Sequence, residues 1–132
     1  MATLTKLTRE YIDLDFAFLR HPMSHNLSIK KRENAIKQSI VNLLSLKEGD
    51  KPFHPEIKSP IYGFLFENAS SIVQVVLESE IHKYLSLYEP RVHIHYVKVS
   101  YPNPNAINCE IMGQIVNVAN PFTVNILIDR LR

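Results

Sequence analysis

Apolar residues alternate with polar ones near the start of the chain, in YIDLDFAF (residues 11–18). A period of two predicts an extended segment with one apolar face. The segment ends at His21-Pro22, because proline biases the residue before it away from helix. The pattern shows no partner strand nearby, so we expect residues 1–28 to form an extended arm. Its apolar face then packs on the rest of the domain or on another protein.

Two later segments carry the apolar spacing of amphipathic helices. The first follows Ser28, a candidate N-cap, and stops before Gly49, a candidate C-cap. A proline-rich loop comes next, and the second helix is predicted from about Ser70 to Tyr88. Proline cannot continue a helix, so Glu89-Pro90-Arg91 is predicted to be a corner between this helix and a strand.

Three strand patterns complete the chain. RVHIHYVKVSY (91–101) changes register midway, which predicts a bulge or a strand buried on both faces. INCEIMGQIVNV (107–118) changes frame after Gly113, which predicts a kink there. FTVNILIDRLR (122–132) has an apolar residue at every second position from 122 to 128. The apolar residues on one face of this last strand are Phe122, Val124, Ile126 and Ile128.

This order of elements predicts an α+β fold: an extended N-terminal arm, two main helices, then a small antiparallel three-stranded sheet at the C-terminus. A length of 132 residues fits a single domain, 1–132. We divide it into the arm (1–28), a helical part (29–88), and the corner with its β-meander (89–132).

Composition excludes several classes of protein. The formal net charge is only +2, without the clustered basic stripe of a nucleic-acid binder. No segment has the run of apolar residues that crosses a bilayer, and no signal peptide is evident, so we expect no membrane partner. The single cysteine, Cys109, lies in the apolar register of a strand, where an inert core thiol is expected.

The candidate chemistry is weak. His93 and His95 share a strand face, as two metal ligands would, but the third and fourth ligands of a zinc site are not evident. Glycosidases need two carboxyl groups at a fixed separation, but among this many carboxylates some pair is always close, and Glu89 beside Arg91 suits an ion pair rather than a general acid. No nucleophile elbow, zinc-protease motif or phosphate-binding glycine loop occurs. We therefore expect no enzyme activity, no catalytic residue, no metal and no cofactor.

Two features suggest interaction with other proteins. On extended backbone Glu89 and Arg91 project to the same side, as a local ion pair or as a charge pair presented to a partner; the spacing alone favours neither. The C-terminal strand has no element after it to cover its edge. Such an exposed edge could accept a strand from another chain. The alternative is that the N-terminal arm covers this edge.

The ordered set IDLDF, HP, ENAIKQSIVNLLSLKEGDKPFHPEIKSP, LFEN and YEPRV, followed by three strands, resembles the baseplate wedge subunits of contractile-tailed phages. These are the sheath initiators, with relatives in type VI secretion baseplates. The resemblance implies a structural protein of the virion tail baseplate, assembled in the host cytoplasm. It implies as partners the wedge core-bundle proteins, the tail sheath protein and other baseplate subunits.

The resemblance also implies roles for particular residues. Glu89, Pro90 and Arg91 match the family's signature motif, associated with docking on the wedge core bundle. The sheet around 91–131, with the edge strand that carries Phe122, Val124, Ile126 and Ile128, matches the part that templates the first sheath ring by strand addition (β-augmentation). Ile57-Lys58 departs from the family, since many relatives have an aromatic-glycine pair there.

Two alternatives belong to other classes. A relative of the family is a bacterial anti-adaptor that blocks delivery of a stress sigma factor to a protease, which would make this chain a regulatory binding module. Some members are labelled lysozyme-like, and a hydrolase is the third interpretation, which the carboxylates do not support.

Overall fold

The computed structural model describes residues 11–130, and its elements confirm the predicted α+β class. Three helices precede a three-stranded antiparallel sheet, and a short two-stranded sheet precedes them. No helix in the described range is both long and apolar enough to cross a membrane. In chain order the elements are β1 (Ile12–Leu14), β2 (Ile29–Lys31), α1 (Glu33–Ser45), α2 (Ile61–Phe64), α3 (Ser71–Tyr88), β3 (Val92–Asn103), β4 (Ala106–Ile115) and β5 (Pro121–Asp129).

The chain divides into two compact units, and the division falls inside α1, between Gln38 and Ser39. The described part of the first unit is built on a hairpin in which β1 pairs with β2 in antiparallel register. The second unit contains the proline-rich loop, α2, α3 and the three-stranded sheet. The assignment of residues 1–132 to a single domain stays a prediction.

The segment before α1 differs from the sequence-based prediction. The helix begins at Glu33 rather than after Ser28, and it ends at Ser45, four positions before Gly49. Ile29 lies instead in β2, directly opposite Leu14 of β1. The arm therefore has a local partner strand, which the pattern did not reveal because a three-residue strand is too short to establish a period.

Helix α3 matches the prediction at both ends. The Ser70 side chain accepts a hydrogen bond from the backbone amide of Val73 at 3.2 Å, which caps the first turn. At the other end the backbone amide of Glu89 donates to the carbonyl of Leu85 at 2.8 Å, and Pro90 stops the helix. The fully buried Leu77, Ile81 and Leu85 form its inward stripe.

The sheet has the order β3-β4-β5, and both pairings are antiparallel. Its β3–β4 register shifts between Ile94 and Tyr96, which confirms the predicted bulge. The kink predicted at Gly113 is wrong, because β4 alternates regularly through that position and pairs with β5 without a shift. Gly113 is needed for close approach instead: an added Cβ would lie 2.8 Å from Val92 Cγ1 and 3.2 Å from the His93 carbonyl oxygen.

Replacing Gly113 by alanine tests this close approach. We expect Gly113→Ala to lower the free energy of unfolding by about 1–3 kcal/mol, because the new methyl group overpacks the start of β3. Urea denaturation of the purified protein measures the change. Gly63→Ala is the matched control, since a Cβ at Gly63 meets no atom within 4 Å. Equal stability of the two variants would contradict the packing role of Gly113.

Candidate partner-binding sites

The Glu89-Pro90-Arg91 corner is built around a buried carboxylate. Glu89 is 1% exposed although it is charged. Its Oε1 accepts from Arg91 Nε at 2.5 Å, and its Oε2 accepts from Arg91 Nη2 at 2.7 Å. The Ser39 hydroxyl of α1 donates to the same Oε2 at 2.5 Å. Both carboxylate oxygens are thus used within the chain, and the fork of the guanidinium is held in one orientation.

The backbone around this pair is equally constrained. The Val92 amide donates to the Glu89 carbonyl at 3.3 Å, and the Val116 amide donates to the Arg91 carbonyl at 3.0 Å. Pro90 is exposed, and the Arg91 side chain keeps 35% of its surface accessible. From sequence alone, Glu89 and Arg91 could form a local ion pair or a charge pair presented to a partner. The geometry shows the local ion pair, with Glu89 buried and Arg91 partly accessible, and presentation of the pair to a partner stays a prediction.

The two edges of the sheet differ in what covers them. On the β3 edge, side chains of α3 bond the backbone that an added strand would need: Gln74 Nε2 donates to the Val99 carbonyl at 2.8 Å, and the Val99 amide donates to Glu78 Oε1 at 2.9 Å. Farther along, His82 Nε2 lies 3.3 Å from the Ile94 carbonyl oxygen. Side chains of α3 therefore occupy this edge at Val99 and Ile94, where an added strand would have to pair.

The edge of β5 has no such cover. The Arg130 amide donates to the Asn105 carbonyl at 2.7 Å, so Arg130 faces β4. In an antiparallel ladder every second residue faces the same neighbour, so the intervening residues direct their backbone groups outward. Within residues 11–130 no hydrogen bond reaches those outward groups. The outward-facing residues of the strand are Thr123, Asn125, Leu127 and Asp129.

The predicted edge residues belong to the other half of β5. Their side chains are buried, between 5% and 8% exposed, and they form the last row of the apolar layer of the sheet. The sequence-predicted residues of this row are Phe122, Val124, Ile126 and Ile128. They set the register of β5, whereas the backbone that is open to a partner belongs to their neighbours.

The other candidate chemistry is dispersed. His95 is the extra residue of the bulge, and its Nε2 lies 3.3 Å from Gln114 Oε1. In the part of the chain that the structure describes, no three His, Cys, Asp or Glu side chains group as a metal site would require. Cys109 is fully buried, and burial raises the pKa of its thiol to about 12, so it stays a neutral core thiol.

A cleft of about 590 Å³ between α3 and the proline-rich loop contains carboxylates that all have basic neighbours. Glu48 pairs with Lys58 at 3.3 Å, and Glu80 pairs with Lys83 at 3.0 Å. A hydrogen bond from its own backbone amide, and then one from His54, hold the pKa of Glu56 below its ordinary value. A general acid of a glycosidase needs a raised pKa instead, so these carboxylates do not suit that role.

Three side chains that matter here were missed by sequence reasoning. Ser39, Gln74 and Glu78 lie on helices, where polar residues are usually solvated. Their partners are 50, 25 and 21 positions away along the chain. No local signal marks such pairs, since they depend on how the helices pack on the sheet.

Comparison with known proteins identifies the relatives of this chain. A family model described as baseplate wedge protein gp25 matches residues 30–119. The baseplate wedge protein gp25 of Enterobacteria phage T4 is 28% identical over 92 residues, which are 70% of this chain and 67% of that protein.

Two solved structures share the fold. A putative tail lysozyme from Geobacter sulfurreducens superposes with a TM-score of 0.66 at 19% identity, over 74% of this chain and 89% of that one. A chain of the anti-feeding prophage baseplate gives a TM-score of 0.63 at 15% identity, over 93% of this chain and 88% of that one. At these identities the two structures support the fold alone.

The corner gives an asymmetric prediction for stability. Arg91→Ala leaves the Glu89 carboxylate buried with Ser39 as its one side-chain donor among residues 11–130, so we expect a loss of about 3 kcal/mol in the free energy of unfolding. Glu89→Gln leaves Arg91 able to turn to water, so its loss is smaller, about 1–2 kcal/mol. Ser39→Ala, which removes one hydrogen bond, costs about 1 kcal/mol. Urea denaturation ranks the three variants, and a larger loss for Glu89→Gln than for Arg91→Ala would refute the assignment of Glu89 as the buried member.

Proposed function

The chain belongs to the family of baseplate wedge protein gp25, and from that premise we propose that it anchors on the wedge core bundle and starts the tail sheath. Membership makes it a structural component of a contractile tail baseplate. In the proposal, the Glu89-Pro90-Arg91 corner binds the core bundle, and the outer edge of β5 receives an extended segment of the first sheath subunits. The protein would then function in the virion after assembly in the host cytoplasm.

The corner supports the anchoring half of the proposal. A guanidinium presents donors in a planar fork, which suits carboxylates and backbone carbonyls on a helical bundle. Arg91 is held by a carboxylate that is itself buried, so little side-chain entropy is lost when a partner binds. Pro90 lies exposed beside it and fixes the backbone.

The difference between the two sheet edges is the observation that carries the sheath half. Strand addition needs a row of unpaired backbone donors and acceptors. Side chains of α3 bond the β3 edge at Val99, whereas the outward groups of β5 from Thr123 to Asp129 have no partner within residues 11–130. In the proposal an incoming strand therefore adds to β5 rather than to β3, which would give the first sheath ring a defined position.

A hydrolase remains a poor alternative even though one structural neighbour is named a putative tail lysozyme. In the 590 Å³ cleft, Glu48 and Glu80 are paired with lysines and the pKa of Glu56 is lowered. A general acid needs a raised pKa, so none of these carboxylates suits that role. We therefore propose a non-enzymatic role. The anti-adaptor interpretation would need neither the open edge of β5 nor a sheath partner, and no observation on this chain favours it.

The anchoring role predicts that Arg91→Lys weakens incorporation into baseplates. Lysine keeps the charge beside Glu89, so the fold is retained, but it lacks the bidentate fork. Affinity capture of the tagged protein from cells that express the whole tail-assembly gene set, with quantification of co-purified wedge subunits, measures the loss. We expect recovery of core-bundle subunits to fall about tenfold, as for the loss of one charge-assisted hydrogen bond.

Lys98→Ala is the control for this experiment, because Lys98 is an exposed cation of β3 away from the corner. Thermal melting of each purified variant verifies that it is folded. Undiminished capture of wedge subunits by Arg91→Lys would remove the corner from the proposal. Capture of a single response-regulator-like protein by the unaltered chain would replace the proposal with the anti-adaptor function.

The templating role predicts that Leu127→Pro blocks the sheath while leaving the protein in the baseplate. The amide of Leu127 points outward, so proline removes a donor for an added strand without removing a bond to β4. Leu127→Ala also removes the exposed leucine side chain but keeps the backbone amide, so it is the matched control. Electron microscopy of assembled particles should show baseplates without a sheath for the proline variant and complete tails for the alanine variant. Complete tails from both would disprove strand addition at β5.

A further inference from the structure

A second cleft, of about 210 Å³, lies at the C-terminal end of β5. We call it the cationic cleft. Its wall is formed by the end of β5 and the residue after it, by the α2 region, and by Lys47, which follows α1. The full lining is Lys47, Tyr62, Leu65, Phe66, Asp129 and Arg130. Because Asp129 is the last outward-facing residue of the open edge, a strand that pairs along β5 ends beside this cleft.

Aromatic rings hold the two cations of the cleft. The Lys47 ammonium lies 5.5 Å from the centroid of the Tyr62 ring. The Arg130 guanidinium carbon lies 4.4 Å from the centroid of the Phe66 ring. Phe66 is 68% exposed, so its ring contacts Arg130 without being buried in the apolar core. Both cations are therefore restrained at the rim. The Asp50 carboxylate lies nearby and accepts from the Lys47 backbone amide at 2.9 Å. Within residues 11–130 no side-chain ion pair joins Lys47 or Arg130 to a carboxylate.

The charges of the lining are unequal. Lys47 and Arg130 contribute two positive charges and Asp129 one negative charge, so the lining has an excess of one positive charge. Leu65, which is 7% exposed, adds an apolar surface beside them. Arginine and lysine side chains that share a small cleft favour an anion, and the flat guanidinium favours a carboxylate in particular.

We propose that the cationic cleft binds a carboxylate carried by the strand that adds to the outer edge of β5. This inference rests on the proposed function, and it adds a chemical requirement for the accepted strand. In strand addition the backbone bonds supply affinity and side-chain pockets supply specificity. The cleft would thus distinguish a strand with an acidic group at one end from other extended segments.

Two sources of the carboxylate are compatible with this position. A glutamate or aspartate side chain reaches the cleft from a strand of either direction, provided that it lies opposite Asp129. A C-terminal carboxylate reaches it only if the added strand runs parallel to β5, because the cleft lies where β5 ends. Identification of a C-terminal carboxylate as the source would therefore also show that the added strand runs parallel to β5.

Three nine-residue peptides of alternating valine and threonine separate these sources. The first has a glutamate at each end and an amidated C-terminus, the second has a glutamine at each end and an amidated C-terminus, and the third has a glutamine at each end and a free C-terminal carboxylate. Fluorescence anisotropy of labelled peptides with the full-length protein measures binding. We expect the first or the third to bind about two- to fivefold more tightly than the second, as for one solvent-exposed ion pair. This advantage should decrease in 0.5 M salt.

Variants of the cleft should change the binding advantage of the carboxylate peptide in opposite directions. Lys47→Gln and Arg130→Gln should abolish the advantage of the carboxylate peptide, while Asp129→Asn should increase it by about twofold, because a repelling charge is removed. Leu127→Pro should eliminate binding of all three peptides through loss of the edge. Binding that is lost with Leu127→Pro but is indifferent to the carboxylate and to the cleft variants would overturn this inference and leave the proposed function intact.

A small probe tests the cleft without the edge. Titration of the ¹⁵N-labelled protein with N-acetylglutamate methylamide, followed by NMR, should shift resonances of Lys47 and Arg130 and leave those of Asn125 unchanged. Such shifts with no peptide binding would support the carboxylate site and contradict strand addition at β5. No shift, together with equal binding of the three peptides, would refute the site. If neither probe binds, both the site and strand addition are wrong.

Discussion

The buried carboxylate of Glu89 is the interaction on which the second unit of this protein depends. A charge removed from water has to be paired and hydrogen-bonded, or it destabilises the fold by several kcal/mol. Here the donors come from Ser39 on α1 and from Arg91 at the start of β3, while Glu89 itself ends α3. Three elements therefore have to meet at one point. The same requirement fixes the guanidinium of Arg91, so one contact both stabilises the fold and orients the group that we propose binds a partner.

The polar side chains of α3 determine which edge of the sheet stays open. A three-stranded sheet has two edges, and both would invite uncontrolled pairing if they were left uncovered. Gln74 and Glu78 bond the backbone of Val99, so α3 protects β3 at the same time as its apolar stripe packs inward. No equivalent element follows β5 within residues 11–130. An edge that is protected on one side only is what directed strand addition needs.

Much of this architecture could be predicted from sequence because its determinants are local. Ser70 and Pro90 bound α3, and the strict alternation of β5 gives its buried row. The start of α1 could not be predicted, because Ile29 pairs with Leu14 across a hairpin and that pairing outweighs the helical spacing of Ile29. The Glu89–Arg91 pair is two positions apart and was recognised, whereas Ser39 is fifty positions away and was not. The change of frame after Gly113 suggested a kink, yet the packing of Val92 against this glycine is a contact between strands.

The two proposed binding surfaces lie at opposite ends of the sheet, and this separation has a mechanical consequence. Val92, next to the corner, pairs with Ile115, and β5 begins beside that same end of β4. The cationic cleft lies at the other end, beyond Asp129. Eight residue steps along β5 span about 27 Å. In the proposed assembly, a core bundle bound at Arg91 would leave most of the β5 edge accessible, and a strand added there would not displace the bundle. If both proposals hold, the hydrogen-bonded sheet between the two surfaces would set the direction of the added strand relative to the anchor, and a template for the sheath needs that geometric relation.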